Sequence, residues 1–358
     1  MNRKEIYVIH FNAPGSGMAK YAEYISECYS QFNDKVSMLG YNSGKSIYSE
    51  LYNIIMLKRN SVIHWLQQIN YHNNRTIIHF TDTPLYFSFL LKYFCALKIN
   101  CIVTIHDPIP HLENKIIDNF KWFIMYLLNK YIYYLSRNNS NIHIHLHSRK
   151  QNKFVKTNHI VFAEHPISSK TMDYSAITKY TPKSVLHFAY IGRIEYYKGV
   201  DIFYDSAIAF SQLNPEEVKF TIAGRGRIKM HKKHDSINII NKYLTEQEFE
   251  NIVRSAHVIV LPYRNATQSG VLSYSLAHNK PVISTNAGLL GDYIKHGITG
   301  YIIEEASVAE LVRTYSHFLH AYDKIEKMSI ATNAYKIKYA PKTIGNCLKK
   351  YVDSELEF

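Results

Sequence analysis

In the run AYIGRIEYYKGVDIF, Arg193 follows a buried apolar strand and Lys198-Gly199 opens a helix. A lysine at the positive end of a helix costs ~0.3–1 kcal/mol. Two cations beside free backbone N–H groups are explained by an anion seated among them, and a nucleotide diphosphate fits. The alternative is a solvated turn with Lys198 pointing away. Near the N-terminus, NAPGSGMAKYAEYI follows the first strand, and Gly15 and Gly17 permit a tight strand-to-helix turn with close backbone approach. Past other buried strands come HFTDTP with Asp82 and VTIHDPIP with His106 and Asp107, at the carboxyl edge where open α/β sheets bind ligands. A helix-capping Asp107 beside a loop histidine is the plainer reading of the last pair.

Two further strings are set aside. NIHIHLHS aligns His143, His145 and His147 on one face of a strand, but without acidic or cysteine neighbours it reads as a packed face, and no metal is expected. GYNSGKS has three residues between its glycines where a phosphate loop has four, so a polar loop is expected.

GRIEYYKG resembles the G-R-x-x-x-x-K-G element of glycosyltransferase family 4, a group 1 glycosyl transferase family. FTIAGRG, YLTEQEFENIVRSAHVIVLPY, NKPVISTNAG and GDYIKHGITGYII then follow in the family's order. The resemblance implies the GT-B fold, two Rossmann-like doubly wound domains facing a cleft, and a nucleotide-diphosphate sugar as donor. It makes Arg193 and Lys198 the neutralisers of the diphosphate and His106 a contact of the donor sugar. It assigns donor binding to Gly15, Gly17, Met18, Gly192, Gly224, Arg225, Tyr243, Leu244, Gln268, Ser269, Gly270 and Val271. It further implies retention of configuration by front-face displacement; an inverting enzyme would need a general base, with Asp107 or Asp82 the first to test.

The family's paired glutamates, with seven residues between them, align here with Ala266 and Tyr274, neither of them a carboxylate. The segment ATQSGVLSYSLAHNKPVIST resembles a branch that carries Gln-Ser-Gly in this loop. Ser269 and Gly270 leading into a helix still offer N–H groups to a phosphate.

These residues need elements to hold them. Strand-like runs alternate with helical patterns from Ile6 to Arg137, and again from Val185 to Ser284, each strand apolar on both faces. Such runs argue parallel sheets covered on both sides. The expected organisation is an N-terminal acceptor domain over 1–165, a polar Pro- and Ser/Thr-containing linker over 166–184, a donor domain over 185–325, and a helical segment over 326–358 packing back on the first domain.

At 358 residues with 46% hydrophobic and 20% charged residues, disordered and fibrous classes are excluded. Trp122–Leu135 is too short to span a bilayer, and the N-terminal apolar run is too short for a signal peptide. Four cysteines without a Cys-x-x-Cys pair suit a reducing compartment, so a cytoplasmic protein is expected, peripheral at the inner membrane face. Lys and Arg outnumber Asp and Glu 42 to 29 for a net charge of +13, with most of the excess in the first 180 residues. That excess favours an anionic partner, and together with the resemblance it points to a saccharide acceptor that is lipid-linked, as in polysaccharide or O-antigen assembly. No cofactor or metal is expected beyond the donor co-substrate, because the cations and helix ends supply the positive charge. The alternatives are a nucleotide-sugar epimerase of the same fold and a basic nucleic-acid-binding protein, although no recognition module is visible.

Overall fold

The computed structural model describes residues 4–12, 16–32, 35–41, 53–57, 69, 75–83, 87–108, 116–227 and 234–356. The chain divides into two compact units, residues 1–169 with 338–358, and residues 170–337.

In the first unit the order is β1 (Glu5–Ile9), α1 (Gly17–Ser30), β2 (Lys35–Tyr41), β3 (Asn53–Leu57), β4 (Thr76–Phe80), α2 (Phe87–Ala96), β5 (Asn100–Thr104), α3 (Ile116–Asn138), β6 (Ile142–Leu146) and β7 (Ile160–Phe162). The strands pair in parallel in the order β3-β2-β1-β4-β5-β6-β7. Successive side chains point to opposite faces. Tyr7, Ile9, Ile78, Phe80, Cys101 and Val103 therefore meet α2 and α3, while Ile6, Val8, Ile77 and Ile102 meet α1 and the C-terminal helix Pro341–Glu355. That last helix closes the unit through Ile344, Leu348 and Val352. Its Gly345 lies against α1 so tightly that a Cβ there would stand 2.4 Å from the Cys28 carbonyl oxygen.

The second unit runs β8 (Leu186–Ile191), α4 (Val200–Leu213), β9 (Val218–Ala223), β10 (Ile237–Ile240), α5 (Glu246–Ser255), β11 (Val258–Leu261), α6 (Gly270–Ala277), β12 (Val282–Thr285), β13 (Gly300–Ile303), α7 (Val308–Ser316) and α8 (Tyr322–Tyr335). Its parallel sheet has the order β10-β9-β8-β11-β12-β13. Much of its core is aromatic: the Phe188 ring lies 5.3 Å from Phe220 and 4.4 Å from Tyr315. The buried Tyr315 hydroxyl is satisfied by Ser206 at 3.1 Å, which lets a tyrosine do the work of a phenylalanine.

Most of the segment expected as a linker is fastened to the second unit. Asp173 N donates to Ala277 O, Asn279 Nδ2 to Ala176 O and Thr178 N to Ser329 Oγ. The return to the first unit comes at residue 338 rather than 326, because α8 buries Ile325, Met328 and Thr332 within the second. Lys336, which follows α8, is itself buried, and its Nζ donates to Asp173 O, Ala277 O and Asn279 Oδ1 at 2.7–2.9 Å.

Candidate active site

In both sheets the chain reverses its winding direction beside the first strand, between β1 and β4 and between β8 and β11. At such a switch point the following loops splay apart and open a crevice at the carboxyl ends of the strands. Gly17, Met18 and Asp82, and Gly192, Arg193, Lys198 and residues 268–271, follow these strands, while His106, Asp107, Gly224, Arg225, Tyr243 and Leu244 follow β5, β9 and β10.

In the second unit, β8 ends into Gly192 (φ +119°) and β9 into Gly224 (φ +144°). A Cβ on Gly224 would stand 1.8 Å from the Gly192 carbonyl oxygen, so only glycine lets the two loops touch. The loops are joined further by Gly192 N to Ala223 O (2.9 Å) and Ile194 N to Arg225 O (3.0 Å). Tyr196–Lys198 form a single 3-10 turn, and Gly199 (φ +66°) starts α4. Lys198 thus precedes the helix instead of lying in its first turn.

Lys198 Nζ donates to the Tyr263 hydroxyl at 3.4 Å and sits 4.9 Å from the centre of that ring. Tyr263 Oη in turn meets Ser269 Oγ at 3.3 Å. Ser269 caps α6 by accepting from Leu272 N. A continuous polar line therefore runs from the loop after β8, through the loop after β11, to the N-terminus of α6, where free N–H groups and the helix dipole favour negative charge. Val271 borders it, since a Cβ on Gly192 would lie 3.2 Å from its Cγ2. Gly270 differs from Gly192, Gly199 and Gly224: among the described residues nothing outside its own helix backbone and chain neighbours lies within 4 Å of where its Cβ would be. Gln268 Nε2 is buried with no hydrogen-bond partner among the described residues.

Arg193 is exposed; its guanidinium donates to Glu195 and to the Tyr197 hydroxyl, both at 3.1 Å. Lys198 Nζ approaches the same tyrosine ring at 5.9 Å. Arg225 stacks 4.5 Å over Tyr243, which is 74% exposed, and Leu244 is half-buried beside it. Of the two positions aligned with glutamates, Ala266 is buried, and Tyr274 packs its ring on Phe249 and His278.

Sequence reasoning missed the residues that brace this loop. Arg264 forms a two-pronged ion pair with Asp201 (2.7 and 2.6 Å), donates to Tyr196 O and covers the Tyr196 ring. Tyr263, the middle of the polar line, was also missed. Both follow the apolar run VIVLP, and no local pattern marks them.

In the first unit, Ser16 caps α1 by accepting from Ala19 N, and among the described residues nothing outside its own helix backbone and chain neighbours lies within 4 Å of where a Cβ of Gly17 would be. Met18 lies in the first turn of α1; Gly15 and residues 42–50, which include most of GYNSGKS, lie outside the described residues. Asp82, after β4, is buried and accepts from Phe11 N (3.0 Å) and from the Asn12 side chain. Burial raises its carboxyl to about 6, the two hydrogen bonds opposing the rise.

His106 points both ring nitrogens into its own unit, Nε2 to Thr81 O (3.0 Å) and Nδ1 to His147 Nε2 (3.3 Å). Its carbonyl accepts from Gln151, and that of Asp107 from Asn129. Beneath lies a neutral relay. Tyr29 Oη, His79, Thr104 Oγ1, His145 and Ala163 O are linked in turn at 3.0, 2.9, 3.1 and 2.9 Å. Ala163 O can only accept, so His145 Nε2 carries a hydrogen, and one proton at each junction satisfies the whole chain without charge. Burial holds His79 and His147 well below the usual histidine range and His145 at about 4. Among the described residues no group of three or more His, Cys, Asp or Glu side chains is placed to hold a metal ion.

Comparison with known proteins agrees with this fold. Residues 186–321 match the family model described as glycosyl transferases group 1, the span that contains every element of the polar line. No curated protein matches the chain. Among solved structures, Anabaena HepE in complex with UDP-glucose is similar over 98% of this chain and 100% of its own, with TM-score 0.72 and 10% identity. A glycosyltransferase from Rickettsia africae covers 99% and 100% with TM-score 0.68 and 15% identity. Sucrose-phosphate synthase from Thermosynechococcus elongatus covers 97% and 98% with TM-score 0.70 and 12% identity. The chain thus has the GT-B fold of these solved structures, and its residues 186–321 match the model described as glycosyl transferases group 1.

Proposed function

We propose that the second unit binds a nucleoside-diphosphate sugar with its diphosphate at Lys198, Arg193 and the N-terminus of α6, and that the sugar passes to a saccharide acceptor with retention of configuration. The observation that carries this reading is the line Lys198–Tyr263–Ser269 ending on a helix N-terminus beside Gly270. Gly270 and Gly17 support it, because among the described residues nothing outside their own helix backbone crowds a Cβ there, which leaves room for a ligand to approach. Arg193 is held by an exposed ion pair with Glu195 and a hydrogen bond to the Tyr197 hydroxyl, which a phosphate displaces at little cost. The exposed Arg225–Tyr243 stack offers a flat platform for the base.

In the transition state the departing diphosphate gains charge as the sugar becomes oxocarbenium-like, so cations and N–H dipoles aimed at the phosphates lower the barrier most. His106 is proposed as a contact of the sugar, with His147 and Thr81 O holding its ring. Should the reaction invert, Asp82 is a better base than Asp107, since a carboxyl raised to about 6 takes up a proton more readily near neutrality. The acceptor is proposed to be lipid-linked and the protein to work at the cytoplasmic membrane face.

HepE is described with UDP-glucose, which makes uridine the first base to test. Calorimetric titration with UDP, GDP, dTDP and ADP, each with and without EDTA, is expected to find one preferred diphosphate whose affinity ignores chelation. Binding that disappears with EDTA, or no binding to any of the four, overturns the reading.

A further inference from the structure

Among the described residues, five large hydrophobic side chains exposed to solvent lie on two neighbouring helices: Tyr93 and Leu97 on and just after α2, and Phe123, Leu127 and Tyr134 on α3, between 42% and 62% exposed. On α3 the spacing is helical, so these three share one stripe with Lys130. The opposite stripe, Leu128, Ile132 and Leu135, is buried in the core. Both helices pack on the same face of the sheet, and Lys92 of α2 reaches over the Tyr131 ring of α3 at 5.7 Å. The patch is therefore continuous across the two.

Its charge is one-sided. Lys92, Lys98, Lys130 and Arg137 are exposed around the apolar side chains, and residues 87–98 and 123–138 contain no Asp or Glu. An ordinary solvated helix mixes its signs, as α5 does with Arg254 paired to Glu250. Aromatic and leucine side chains ringed by unopposed cations suit the boundary between headgroups and acyl chains of an anionic bilayer. There the long stems of lysine and arginine keep their charge at the phosphates while apolar neighbours sink below them. No described helix is long and apolar enough to cross the membrane, so contact would be lateral.

We propose that the exposed face of α2 and α3 docks the protein on an anionic lipid surface. The inference rests on the membrane-borne acceptor proposed above, to which it adds the surface that makes contact. A helix that follows a strand begins at that strand's carboxyl edge, so the Phe123 end of the patch lies toward the edge that carries Asp82 and His106. Docking would bring that edge to the headgroups.

The test is co-sedimentation of the full chain with vesicles of phosphatidylcholine alone or with roughly 30% phosphatidylglycerol, an anionic fraction in the range that attracts basic segments. The parent is expected to bind the anionic vesicles at least tenfold more tightly than the neutral ones. The pairs Lys92→Glu with Lys130→Glu, and Phe123→Ser with Leu127→Ser, should each weaken that binding tenfold or more. An unchanged melting temperature and unchanged diphosphate affinity in the same samples separate failure of this surface from failure of the donor site. No binding by the parent, equal binding to both vesicles, or full binding by the charge-reversed pair overturns the proposal.

Discussion

Lys198 and Gly270 can be tested by separating what each does for the fold from what it does for the ligand. Lys198 is half-buried and makes one long hydrogen bond and two ring contacts. Lys198→Gln should therefore change stability by no more than about 0.5 kcal/mol. Diphosphate binding should weaken by ~1.5–3 kcal/mol, the worth of a charge-assisted hydrogen bond. Gly270→Ala goes further: with open space at its Cβ, alanine should raise stability by up to about 1 kcal/mol through the unfolded chain while blocking the phosphates. Chemical denaturation beside calorimetry reads both effects; a destabilised Gly270→Ala with normal affinity would remove α6 from the site. Asp82 has its own pH signature. Its folded carboxyl lies near 6, above its ordinary 3.8, so the folded state binds the extra proton and its contribution to stability is lost as pH rises from 3.8 through 6. Asp82→Asn should flatten that part of the stability curve, which melting temperatures between pH 4.5 and 7.5 would reveal.

At the scale of elements, the strands and helices that carry chemistry were the legible ones, because a parallel strand buried on both faces is an unbroken apolar run. The ends of β8, β9, β11 and β12 fall within a residue or two of where the apolar runs stop. β7 and β13 were not anticipated as strands; they are short edge strands whose pairing comes from one neighbour. β3, at the other edge, was missed for the same reason. The C-terminal helix tests how closely two elements are fitted. Gly345→Val puts three carbons where a single Cβ would already meet the Cys28 carbonyl oxygen at 2.4 Å. It is expected to destabilise the first unit by about 3 kcal/mol or more, and near-parent denaturation would show that the helix can slide.

For the whole molecule, the unusual feature is the amount of histidine kept neutral by burial. His10, His143, His145, His165, His187, His257 and His278 are each lowered by burial to about 4 from an ordinary 6.5. Between those values these groups bind more protons in the unfolded chain than in the folded one, so their contribution to stability is complete above 6.5 and is lost as pH falls toward 4. Each group adds to that loss. Cooperative acid unfolding is thus expected well above the carboxylate range, and a melting temperature that stays flat down to pH 5 would contradict it.

What the amino-acid order determined by itself is local: apolar runs specified parallel strands, and Arg193, Lys198, Ser269 and Gly270 stood at strand and helix ends because N–H groups and glycine turns are near-neighbour properties. What tertiary structure alone decided is which distant residues meet. Arg264 finds Asp201 and Lys198 finds Tyr263 across more than sixty positions, and residues 338–358 complete a unit begun at the N-terminus. No periodicity carries such pairings, since they follow from strand order, and strand order is settled by how whole sheets bury their two faces.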